Sequence, residues 1–98
     1  MKVNLTELLT GLAEECCELG KAALKLHRVF TGVNPTPVTE EVAIDKFEEE
    51  VADVELYLEQ IEYSRQHVDE IKAKKKARWE ARLRYAGIED RESAGAGN

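Results

Sequence analysis

The chain has 98 residues, a formal net charge of -6 and 35% charged residues. An acidic surface repels phosphodiester backbones and anionic lipid, so neither nucleic acid nor a membrane is an expected partner. The length allows one small domain in which burial is only just sufficient, which makes oligomerisation an expected supplement.

The first predicted helix starts after Asn4, a capping residue followed three positions later by Glu7 in a capping-box-like pattern. Leu5, Leu8, Leu9, Leu12, Cys16, Leu19, Ala23, Leu26 and Phe30 recur at helical spacing, and Thr31-Gly32 marks the end. Cys16 and Cys17 are neighbours that point about 100° apart on a helix, so they are expected as free thiols in a reducing compartment, the cytoplasm. Glu7, Glu14 and Glu15 interrupt the apolar pattern, so this segment does not read as a signal peptide. No apolar run approaches the ~18 residues of a membrane span. His27 falls on the apolar side, where a packed histidine is expected.

Val33 to Val38 contains Pro35 and Pro37, which forbid helix and favour an extended connector. Thr39 is the expected cap of a second helix, with Glu40 and Glu41 at the positive end of its dipole. Phe47, Val51, Val54, Leu58 and Ile61 form its apolar stripe, and its end is expected near Ser64 to His67. A third helix is expected from about Val68 to Tyr85, with Val68, Ile71, Ala77 or Trp79, and Leu83 as apolar positions and Lys and Arg concentrated late. Residues 1–86 are thus expected to form an all-α domain, an antiparallel bundle of three helices completed by oligomerisation. Residues 87–98 read as a flexible tail.

The carboxylates carry the chemistry. Twenty acidic residues generate E-x-x-E and E-x-x-D spacings by chance, so position on the helical wheel decides. With Phe47 at zero, Glu50 falls at about 300°, inside the apolar stripe, and Asp53 at about 240°, on its edge. Glu48, Glu55, Glu59 and Glu62 fall on the far side. With Leu5 at zero on the first helix, the stripe centres near 340°, Glu15 falls at about 280° and Glu18 at about 220°. Both pairs are displaced to the same side of their stripes and lie at the same height above the loop. Antiparallel packing therefore brings the four together. At ~4 Å each pair repels by about 1–4 kcal/mol, which calls for protonation or a hard divalent cation such as Mg²⁺, Mn²⁺ or Ca²⁺. The absence of Glu-x-x-His on these two helices argues against a ferritin-like di-iron site.

Glu14-Glu15-Cys16-Cys17-Glu18 followed by Glu49-Glu50-Val51-Ala52-Asp53 resembles the E-E-x-x-E … E-x-x-D signature of MazG-like, all-α nucleoside triphosphate pyrophosphohydrolases. The resemblance covers about residues 5 to 85, with a longer gap between the half-motifs than is common. It implies Mg²⁺-dependent (Mn²⁺ in its place) hydrolysis of a (deoxy)nucleoside triphosphate to the monophosphate and pyrophosphate by a homodimer or homotetramer. It also implies Glu15, Glu18, Glu50 and Asp53 as metal ligands and catalytic residues.

Four further residues are candidates for substrate binding. Tyr57 follows Asp53 by one turn, and some members of the family place a Tyr near the nucleotide; packing is its competing role. Lys25 lies near Glu18 and could reach phosphate. Lys75 and Arg78 belong to a basic row, with Lys72 and Arg82, on the third helix. Lys21 reads better as an ion-pair partner of Glu18. Trp79 reads as an interface residue. A reading from another class stays open: a catalytically weak helical dimerisation or regulatory protein that keeps the acidic face for structure.

Overall fold

In the computed structural model, residues 4–32 and 37–86 are described. They form helices α1 (Leu5–Thr31), α2 (Glu40–Gln60) and α3 (Arg65–Tyr85), with no strand among the described residues. The protein is all-α. The expected tail, 87–98, and residues 33–36 of the connector lie outside the described residues. None of the described helices is long and apolar enough to cross a membrane.

The helix ends follow from local chemistry. Asn4 Oδ1 accepts a hydrogen bond from the Thr6 amide at 2.8 Å, satisfying one of the orphan donors of the first turn. This bond goes to the second helical residue and not to Glu7, so Asn4 is a simple cap and not half of a capping box. Gly32 ends α1 in the left-handed region at φ 73°, and its amide donates to the Arg28 carbonyl. Thr39 Oγ1 accepts from the Val42 amide at 3.2 Å and starts α2.

The boundary between α2 and α3 differs from expectation. α2 stops at Gln60 with Ile61 extended, and Ser64 caps α3 by accepting from the His67 amide at 3.1 Å. The apolar period of α2 runs through Ile61 without a Gly or Pro, which hides the break. The serine hydroxyl sets the start of α3 three residues earlier than Val68.

The chain divides into two compact units, Met1–Glu62 and Tyr63–Asn98. In the first, α1 and α2 pack on each other. Gly11 lies beside Tyr57, and one turn further along α1, Glu15 meets Asp53 and Glu50, which come earlier on α2. The order reverses, so the pair is antiparallel. Leu8, Ala22 and Ala43 are its buried apolar residues. The half-buried and buried side chains of α1 are mainly Leu8, Leu12, Glu15, Leu19, Ala22, Leu26 and Val29. Their centre lies near 290° on the wheel that set Leu5 at zero, about 50° from the expected stripe. The apolar arc of α1 is wider than one partner helix covers, and α2 takes the side that holds Glu15. Leu5, Leu9, Cys16 and Phe30 are left exposed, as are Cys17 and His27. The expectation of a packed His27 is thereby corrected: it lies beyond the covered arc. Both cysteines are free thiols.

In the second unit, Arg65 Nη2 pairs with Asp69 Oδ1 at 3.1 Å, and Arg65 donates to the Tyr63 hydroxyl at 3.2 Å. Val68 and Leu83 are half-buried, whereas Ile71 and Trp79 are exposed.

Candidate metal centre

Three of the four expected carboxylates come together. Glu15 of α1 and Glu50 and Asp53 of α2 each offer an oxygen, and these atoms lie within 4.8 Å of one another. The i, i+3 spacing puts Glu50 and Asp53 on one face of α2, and the antiparallel partner brings Glu15 to the same height. Glu18 is outside this group. Its Oε1 lies 3.4 Å from Lys21 Nζ on the exposed side of α1, the pairing expected for Lys21.

Glu50 is the deepest member, with 4% of its surface accessible. Its Oε1 accepts a charged hydrogen bond from Lys46 Nζ at 2.8 Å. Its Oε2 is buried and has no hydrogen-bond partner. A buried acceptor left unmade costs about 1–3 kcal/mol, more when charged, so this atom is a site short of a donor or a cation. Glu15 shows the same strain: desolvation, then the charges of Asp53, Glu50, Glu18 and Glu14, hold its carboxyl above the ordinary glutamate value. All the donors are carboxylate oxygens, the set that suits Mg²⁺ or Mn²⁺. The residues present therefore fit a divalent ion.

Lys46 is the contributor that sequence reasoning passed over. It stands one turn before Glu50 and also lies 4.0 Å from Glu49. Its hydrogen bond to Glu50 and the charges of Glu49, Glu50 and Asp53 raise its pKa above the lysine value against a smaller opposing desolvation. Its i, i+4 relation to Glu50 was the available signal.

The expected substrate residues are spread along the chain. Tyr57 is half-buried, its ring over Gly11. With Thr6, Glu7, Thr10, Gly11 and Glu14 it lines a cleft of about 340 Å³. Lys25 is half-buried on α1. Lys75 and Arg78 share a cleft of about 270 Å³ with Arg82 on α3. Glu48, Glu55 and Glu59 are exposed, as the wheel requires, and Glu62, beyond the end of α2, is exposed as well.

No family model, no curated protein and no solved structure matches this chain.

Proposed function

We propose that this chain is a Mg²⁺-dependent hydrolase that splits a nucleoside triphosphate into the monophosphate and pyrophosphate. One observation carries the reading: a buried, unpartnered Glu50 Oε2 in a group of three carboxylates from two antiparallel helices. The E-E-x-x-E … E-x-x-D pattern that these residues occupy supports it, since it resembles that of MazG-like pyrophosphohydrolases.

Glu15, Glu50 and Asp53 would hold the ion. A bound Mg²⁺ supplies polarisation of phosphoryl oxygens and a lowered pKa for coordinated water. One of the expected catalytic carboxylates, Glu15, Glu18, Glu50 or Asp53, would accept the proton of an attacking water. Lys46 Nζ neutralises one oxygen of Glu50 and so limits the repulsion that the group must bear. Within the second unit, Lys75, Arg78 and Arg82 share a cleft on α3 and are cations of the kind that match phosphate oxygens.

Assembly belongs to the same reading. Leu5, Leu9, Leu24, Phe30, Val42 and Leu56 are large apolar residues that each expose close to half or more of their surface. A homodimer or homotetramer that covers α1 on the side α2 leaves open would bury several of them. Sedimentation showing only monomer at micromolar concentration would contradict this part.

The deciding experiment is Mg²⁺-dependent pyrophosphate release from a panel of ribo- and deoxyribonucleoside triphosphates. Release from at least one, lost on chelation, is the expected result. No release from any of them would favour a helical dimerisation or regulatory protein that uses the acidic face for structure.

A further inference from the structure

We infer that α3 binds single-stranded nucleic acid, with Lys72, Lys75, Arg78 and Arg82 on its phosphates and Trp79 stacked on a base. This binding goes beyond the hydrolase reading and does not depend on it.

The net charge of the chain conceals a segregation. Residues 1–62 hold 14 Asp and Glu against five Lys and Arg, whereas residues 63–86 hold eight Lys and Arg against three Asp and Glu. The repulsion expected between an acidic chain and a phosphodiester backbone therefore belongs to the first unit. The helix of the second is basic, and a basic stripe on one element is the electrostatic footprint of nucleic-acid binding.

On α3 itself the charges are sorted again. With Lys75 at zero on the wheel, Lys72, Lys74, Lys76, Arg78 and Arg82 all lie within about 100° of it. Asp69, Glu80 and Glu70 fall on the other side, at about 120°, 140° and 220°. Among the described residues none of these six cations is in an ion pair, and Asp69 is taken by Arg65. Lys72 and Lys75, Lys75 and Arg78, and Arg78 and Arg82 stand three or four residues apart, where like charges destabilise a helix. Lys75, Arg78 and Arg82 share the cleft of about 270 Å³. This face is short of anions, and it is a row and not a point. Lys72 to Arg82 spans about 15 Å, the rise of roughly four to five nucleotides along one strand.

The aromatic residues separate nucleic acid from other anionic partners. Trp79 exposes 59% of its surface and Tyr85 97%, and both lie on the acid-free arc, at about 40° and 280°. Single-strand sites combine cations that track the backbone with exposed rings that take the bases. A duplex keeps the faces of its bases covered and offers its backbone alone. The acidic helices of a second copy would match the charge and leave the indole without a stacking partner. A helix that lies on an anionic membrane keeps apolar and cationic residues on opposite faces, whereas Val68, Ile71 and Trp79 lie within about 40° of Lys75.

Trp79 is the single tryptophan of the chain, so its fluorescence reports on this site. The full-length chain is titrated with single-stranded RNA and DNA of about 12 nucleotides and with the same DNA as a duplex. At least one single strand is expected to quench Trp79 and to bind more tightly than the duplex. Four phosphate contacts give a slope of about -2.8 in log K against log salt, a loss of about 50-fold from roughly 50 to 200 mM. Arg78 and Trp79 are exposed, so substituting them removes no packing. Arg78→Gln should make the slope shallower by about 0.7, and Arg78→Lys, which keeps the charge, should leave it unchanged. Trp79→Ala, followed by the anisotropy of a labelled strand, should bind about tenfold more weakly with the same salt slope. Tighter binding of the duplex, displacement of the strand by pyrophosphate at equal phosphate concentration, or no quenching by any strand at about 100 µM in low salt overturns the inference. So does quenching by anionic lipid vesicles but by no strand, which would assign the face to a membrane. A salt-sensitive dimer that shifts Trp79 emission without nucleic acid would assign it to a second copy and overturn the inference as well.

Discussion

Lys46 Nζ donates to Glu50 Oε1 at 2.8 Å, while the second oxygen of the same carboxylate is buried without a partner. One carboxylate thus holds half of its compensation from within α2 and lacks the other half. The lysine side chain is about half exposed at 52%, so the pair is not sealed from water and its worth is discounted accordingly.

Removing the lysine therefore has opposite effects with and without metal. In Lys46→Met, Glu50 loses the ammonium that donates to its Oε1, and metal-free stability should fall modestly, as for a half-exposed pair. The same change removes a cation that competes for Glu50, so Mg²⁺ should bind more tightly. Because a native-state ligand stabilises by mass action, a fixed Mg²⁺ concentration should raise the melting temperature of this variant more than that of the parent. Thermal scans with and without Mg²⁺ check it; a smaller Mg²⁺ effect in the variant would contradict the competition. The raised lysine pKa keeps the Lys46 ammonium charged at neutral pH. Its contribution is present below the ordinary lysine value and lost only as pH rises through the folded one.

Glu15 gives a pH dependence of the less common sign. Its folded pKa is raised by desolvation and by its acidic neighbours. Between the ordinary glutamate value and the raised one, the folded protein binds more protons than the unfolded chain. Metal-free stability contributed by this group therefore falls as pH rises through that window. Without Mg²⁺, the melting temperature of the parent should gain on that of Glu15→Gln as pH is lowered through the window. With saturating Mg²⁺ the relation should invert, since the ion takes the place of the proton. A constant difference between parent and variant across these pH values, without metal, would show that Glu15 is not under this strain.

Two glycines separate packing from backbone effects. Gly20 lies inside α1 with nothing within 4 Å of an added Cβ, so Gly20→Ala should stabilise by about 0.5–1 kcal/mol through helix propensity. Gly32 also has open space, but its φ is 73°, so Gly32→Ala should destabilise by about 1 kcal/mol. Urea titrations of both variants read the signs; a loss at Gly20 would mean that this face of α1 is covered by something in solution, such as a second copy.

Caps and wheels made most of the first unit legible. Asn4, Gly32 and Thr39 each carry a local preference that no tertiary contact overrides, and each ends or starts a helix where its chemistry places it. Glu50 was legible as a charge inside an apolar stripe, and Asp53 and Glu15 followed from the antiparallel pairing. The rotation of the α1 stripe toward Glu15 was not, because a helix with a wide apolar arc does not specify which part of it a single partner covers. Glu18 was placed by the same wheel at about 220°, farther from the stripe than Glu15, and there it meets Lys21 instead of the cluster. The α2–α3 break escaped because periodicity continues across Ile61, and only Ser64 signals it.

The acids themselves give the sharpest separation of a metal site from an acidic surface. Glu50 is buried, whereas Glu55 and Glu59 are exposed on the same helix. Glu50→Gln keeps the shape of the side chain and removes the charge. Its amide oxygen can still accept from Lys46, and its amide nitrogen can donate to a neighbouring carboxylate of Glu15 or Asp53, so the orphaned position gains a donor. Metal-free stability should hold or rise by up to about 1 kcal/mol, because repulsion within the group is relieved. Stabilisation by Mg²⁺ should be largely lost, and pyrophosphate release with it. Glu55→Gln and Glu59→Gln should change melting by no more than about 0.5 kcal/mol and leave the Mg²⁺ response intact, as solvated substitutions do. The three variants are compared side by side for metal-free melting, Mg²⁺-induced shift and pyrophosphate release. If all three respond to Mg²⁺ as the parent does, Glu50 holds no ion, and its buried oxygen has to be satisfied by water.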